Sequence, residues 1–89
     1  MDFNECKTAI IQYIINYDQG KESLIPCIEV FQHVFKNTFS RLELEECARG
    51  LVSSEILEPY SFHGYLKLTE TFKSRIDYNI LKKLKYKER

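Results

Sequence analysis

Apolar residues recur through the first part of the chain at the spacing of a helix. Placed at about 100° per residue, Phe3, Cys6, Ile10, Tyr13, Ile14 and Tyr17 fall on one stripe and predict a helix over 3–17. Ile11 and Ile15 carry the stripe round the side, leaving Glu5, Thr8, Gln12 and Asn16 as the polar positions. An apolar arc this wide exceeds what one neighbouring helix covers, so the helix is either central or also meets a second subunit. The pattern breaks at Asp18-Gln19-Gly20-Lys21, where Gly20 is the expected C-terminal stop.

A second helix is expected over 24–37, with Cys27, Ile28, Phe31, Val34 and Phe35 on one face and Glu29, Gln32, His33 and Lys36 on the other. Ser23 is its candidate N-cap, and Pro26 fits a first turn because its missing N–H has no helical partner there. Ser23-Leu24-Ile25 reads equally as a short strand before the helix. Asn37-Thr38-Phe39 is a tight connection, and Ser40 followed by Glu43 is a capping-box pattern that opens a third helix over 41–54. Its inner face is Leu44, Cys47, Ala48, Leu51 and Val52. Two helices joined so closely have the spacing of a helix-turn-helix.

After Ser53-Ser54 the period changes to that of a β-hairpin: Ile56 to Ser61, a Phe62-His63-Gly64 turn, then Tyr65 to Thr69. Leu66 and Leu68 alternate inward, and Tyr65, Lys67 and Thr69 outward. Pro59 confines its strand to an edge. Thr69 can N-cap a fourth helix over 70–86, along which Phe72, Ile76, Ile80 and Leu84 run at i+4, with Tyr78 and Leu81 off the stripe. The fold class expected is therefore mostly α with a small β-hairpin (α+β), in a single domain over 1–89, with the basic tail at 87–89. The chain has 89 residues, enough for one compact core.

Composition narrows the function classes. Apolar runs such as Ala9-Ile10-Ile11 are far shorter than the roughly 20 residues of a membrane span. Met1 to Glu5 lacks a basic n-region, so a cytoplasmic location is expected rather than a secretory or membrane one. The cysteines, Cys6, Cys27 and Cys47, form no Cys-x-x-Cys pair, and neither His33 nor His63 stands at a zinc-like spacing from one. No metal is expected, and the thiols are expected to be free. Gly20, Gly50 and Gly64 are scattered singly, so no phosphate-cradling loop and no cofactor are expected. No acid–base pair or nucleophile constellation can be named, so the chain does not read as an enzyme.

Charge is unevenly spread although it sums to zero. Residues 1–58 carry five basic and ten acidic side chains; residues 59–89 carry eight basic and three acidic. Lys82, Lys83, Lys85, Lys87 and Arg89 are the densest basic group, and they also suit the negative end of a helix.

Helix, helix, tight turn, helix, hairpin, helix is the order of a winged helix-turn-helix domain. Leu51 to Tyr60 resembles that family's junction between recognition helix and wing, and Tyr65 to Glu70 resembles its second wing strand running into the next helix. The resemblance covers roughly residues 3–80 and rests mainly on hydrophobic spacing. Glu55 departs from it, because members commonly carry glycine there, and predicts a different helix terminus. Phe72, also at a common glycine position, predicts a last helix whose first turn packs into the core.

The resemblance implies a transcriptional regulator that binds double-stranded DNA, with helix 41–54 in the major groove and the hairpin on phosphates or the minor groove. Arg41, Glu45, Arg49 and Ser53 would make the contacts from the helix, and His63 and Lys67 from the wing. A homodimer through helix 1 and the helix over 70–86 would supply two half-site readers. The charges point the other way. Glu45 and Glu46 face outward where phosphates would lie, although glutamate can accept from cytosine N4. The competing expectation is a protein–protein interaction module on the same scaffold without DNA binding.

Overall fold

The structure is a computed structural model describing residues 3–60 and 64–83. It contains helices α1 (Phe3–Asp18), α2 (Ile28–Val34) and α3 (Arg41–Ser53), strands β1 (Leu57–Pro59) and β2 (Leu66–Leu68), and helices α4 (Glu70–Lys73) and α5 (Ile76–Lys83). The strands form one antiparallel sheet in the register Leu57 to Leu68, Glu58 to Lys67 and Pro59 to Leu66. The fold is thus mostly helical with a small two-stranded sheet.

The apolar arc of α1 is covered within the chain from Cys6 onward, with Phe3 at its start exposed, and the helix is central. Residues 10–15 are buried without interruption. Cys6 meets Cys47 of α3, and Tyr13 meets the rings of Phe31 at 5.7 Å and Phe35 at 6.5 Å, both edge-on. Ile11 lies in a groove with Phe72, Ile80 and Leu81. Gln12, expected on the polar side, is instead buried beneath α5, its amide 3.5 Å from the Leu81 carbonyl. Burying side chains of this size contributes about 1.5–3 kcal/mol each.

The second helix is shorter than expected. It begins after Cys27, not Ser23, and the residues before it are not helical: Cys27 is extended, Pro26 disfavours a helical residue 25, and the Pro26 carbonyl accepts the Leu66 N–H at 2.9 Å. It ends at Val34, so the connection to α3 spans 35–40 rather than three residues. Phe35 and Phe39 are buried and stack edge-on at 6.0 Å, so this connection is itself part of the core. The Ser40–Glu43 capping box is present in both directions, at 3.1 Å and 2.8 Å.

Two helix ends use the same device with different residues. After α1, Lys21 N–H bonds Asn16 and Gly20 N–H bonds Tyr17, with Gly20 at φ +78°. After α3, Ile56 N–H bonds Leu51 and Glu55 N–H bonds Val52, with Glu55 at φ +61°. Both are Schellman motifs. The different terminus expected from Glu55 is therefore not found. The turn is left-handed without glycine, and the Thr69 hydroxyl donates to the Glu55 carbonyl at 2.5 Å, holding it there.

That same Thr69 oxygen accepts the Phe72 N–H at 3.0 Å and caps α4, whose Phe72 is buried. The single helix expected over 70–86 is broken at Ser74 and Arg75, where the Ser74 hydroxyl donates to Thr71 and the Arg75 N–H bonds Phe72. The break changes the inward face. Tyr78 packs edge-on against Phe72 at 6.0 Å and Leu81 joins the core, whereas Ile76 and Ile80, expected inside, are 73% and 53% exposed. The part of the expected helix beyond Lys83, with Leu84, and the tail at 87–89 lie outside the described residues. In the hairpin Leu68 is buried and Leu66 half-buried.

Left-handed backbone at a residue with a Cβ costs about 1–2 kcal/mol, partly offset by the entropy glycine loses on folding. Glu55→Gly should therefore raise stability by about 0.5–1 kcal/mol, a gain of roughly 2–8 °C in melting temperature. Calorimetry showing no gain would mean that the turn is not strained.

Tyr13 donates to the Leu24 carbonyl at 2.9 Å, and burial, with Glu22 nearby, pushes its phenol up to about 12. The folded state then holds this proton more tightly than the unfolded chain. Its contribution is complete below pH ~10 and is lost as pH rises from about 10 towards 12. Tyr13→Phe should lose about 1 kcal/mol at neutral pH and unfold less steeply than the parent above pH ~10, as read by urea titration across that range.

Candidate functional site

The capping box fixes where α3 starts, and its inner residues Leu44, Cys47, Ala48 and Leu51 fix its rotation. The side chains named on its other face are then set. Arg41, Leu42, Glu46, Arg49 and Ser53 are exposed and Glu45 is half-exposed. The helix does not offer its charges freely. Arg41 Nε bonds Glu45 Oε2 at 3.0 Å, and its Nη1 bonds Gln32 Oε1 at 3.1 Å. Arg49 has no ion-pair partner among the described residues.

Glu45 and Arg49 line a groove of about 290 Å³ with Ile28, Val52, Gly64 and Leu66, between α2, α3 and the hairpin. Lys67 is not brought to it. Lys67 lies on the outer face of β2 with its ammonium 4.7 Å from the centre of the Tyr60 ring, and lines a second cavity with Tyr17, Asp18, Pro26 and Tyr65. His63 lies outside the described residues. The candidate set therefore divides: Arg41, Glu45, Arg49 and Ser53 share one helix face, and Lys67 looks elsewhere.

Three basic residues after the hairpin are also engaged locally. Lys73 pairs with Glu70 at 3.8 Å, and Arg75 with Asp77 at 2.8 Å while stacking on Phe72. The Lys82 ammonium sits 5.8 Å from the Tyr78 ring centre. On α1, Cys6 points to α3 while Ile11 and Gln12 point to α5, in nearly opposite directions. The described part of the basic C-terminal segment therefore packs on the flank of α1 away from α3.

The thiols of Cys6 and Cys47 are both raised above the ordinary range. Burial is the main cause for each, and for Cys6 the hydrogen bond to Cys47 adds to it. A raised thiol holds little thiolate, which makes a poor nucleophile or metal ligand. Cys6, Cys27 and Cys47 are all free. Among the described residues no group of three His, Cys, Asp or Glu could hold a metal, and no helix is long and apolar enough to cross a membrane.

Sequence reasoning missed two features. The Arg41–Glu45 pair was signalled by its i, i+4 spacing. The cavity of Tyr17, Tyr60 and Tyr65 was signalled only in part, by the outward positions of Tyr65 and Lys67; α1 supplies the rest through tertiary packing. Comparison with protein-family models, curated proteins and solved structures finds no match to this chain.

Proposed function

We propose that the chain is a winged helix-turn-helix domain serving as a protein-interaction module, with α3 as its docking helix. The observation that carries this reading is the makeup of the exposed α3 face. Leu42 is 63% exposed beside Glu43, Glu45 and Glu46, and one of the two arginines, Arg41, is tied to Glu45 and Gln32. An apolar centre with an acidic surround suits a partner surface that is apolar with basic neighbours. It does not suit phosphates, whose binding is driven by cations that release counterions. The exposed Ile76 and Ile80 support self-association through α5; helix 1, whose apolar arc is covered apart from Phe3, is not part of that proposal.

A DNA-binding regulator is the second reading. Arg49 favours it, being exposed, without an ion-pair partner among the described residues, and on the same face as Ser53. In the module reading, random duplex DNA shows no salt-dependent binding at about 50 mM salt. Binding that falls by orders of magnitude as salt rises, and that is lost in Arg49→Glu, would put the DNA regulator in its place. For self-association, sedimentation should give a dimer that Ile80→Glu converts to a monomer; a monomeric parent at high concentration would remove this part of the proposal.

A further inference from the structure

The second cavity, on the far side of the hairpin from the α3 groove, has the makeup of a cation site. It is a partly open cavity of about 350 Å³ between the last turn of α1, the segment at Ile25 and Pro26, and the outer face of the hairpin. That is within the size range of small-ligand pockets. The register places Tyr60 next in the ladder after Pro59 and opposite Tyr65, and the Tyr60 N–H bonds the Tyr65 carbonyl at 2.8 Å. Directly opposed residues share a face, so both tyrosines stand on the outer face together with Lys67. Tyr17 and Asp18 close the site from α1.

Three features of this cavity favour positive charge. First, tyrosine rings are negative on their faces, and the Tyr60 face already holds a cation, the Lys67 ammonium at 4.7 Å. Second, Asp18 supplies a carboxylate at the wall, with no ion pair to it among the described residues. Third, α1 is 16 residues long and has no basic residue in its last turn, so no cationic side chain of the helix itself offsets the negative end of its dipole.

From this geometry we infer that the cavity binds a small alkylated ammonium ion, lodged among Tyr17, Tyr60 and Tyr65 with Asp18 as counter-charge. An alkylated ammonium is favoured over a primary one because the walls are largely aromatic and aliphatic. A primary ammonium gives up strong water hydrogen bonds on entry, whereas methyl groups make contact with the rings. Lys67 is exposed and lies over the Tyr60 ring, so it competes with the ligand for that face. The inference is independent of what α3 docks.

The test uses choline and its neutral isostere 3,3-dimethylbutan-1-ol as probes, followed by NMR shifts of the tyrosine rings in the intact protein. Choline should shift the rings saturably and bind more tightly than the neutral isostere. Tyr60→Leu and Asp18→Asn should each weaken choline by about two- to fivefold. Both residues are exposed, and a circular dichroism spectrum checks that the variants remain folded. Lys67→Gln should strengthen it by a similar factor, by freeing the ring. Equal affinity for the two probes would show that only apolar contact is at work and would overturn the inference. Absence of saturable shifts in both the parent and Lys67→Gln would do the same.

Discussion

Enclosure of α1 is the constraint on which the rest of the molecule depends. A helix buried over 10–15 without a gap needs cover on every side, and a chain this short must supply it from nearly all its other elements. α2 covers Tyr13, α3 covers Cys6, and α4 and α5 cover Ile11 and Gln12. This demand explains why the connection over 35–40 carries buried phenylalanines, and why the C-terminal segment folds back instead of projecting as one long rod. A straight helix from residue 70 would keep Phe72 and Ile76 on one side. The break at Ser74 and Arg75 lets Phe72, Tyr78 and Leu81 all reach the core.

The hairpin is set by a small polar cluster rather than by its own length. Three residues per strand give few ladder bonds, and an isolated hairpin of that size is marginal in water. Its base is fixed by Thr69, which bonds Glu55 and Phe72 through one oxygen and Ile56 through its N–H. Its far edge is fixed by the bond from Leu66 to Pro26. The left-handed Glu55 is thus held by neighbours on both sides, which is the condition under which a non-glycine residue keeps such a backbone.

Local pairing of charges shapes the surfaces available to a partner. Arg41, Lys73 and Arg75 each meet a carboxylate within a few residues, and Lys67 and Lys82 lie over tyrosine rings. Exposed pairs of this kind contribute little to stability, with a median of about 0–1 kcal/mol. Their larger effect is to tie Arg41 to Glu45, leaving Arg49 as the arginine on the exposed face of α3 without an ion pair among the described residues. What remains accessible is an acidic and apolar helix face on one side and a tyrosine-lined cavity on the other.

The sequence by itself determined the elements whose causes are local. The α1 stripe, the Ser40–Glu43 box, the stop at Gly20, the change of period after Ser54 and the cap at Thr69 all depend on residues within a few positions of one another. The outward places of Arg41, Glu45, Arg49, Ser53 and Lys67 followed from the same periodicities. Only the tertiary structure decided matters that hinge on distant partners. The Pro26 carbonyl is held by the Leu66 N–H, Gln12 is covered by α5, Glu55 is held left-handed by Thr69, and Ile76 is turned outward because Tyr78 finds Phe72. Each of these joins segments that periodicity treats one at a time, and the competition among them for the surface of α1 is settled only when the whole chain packs.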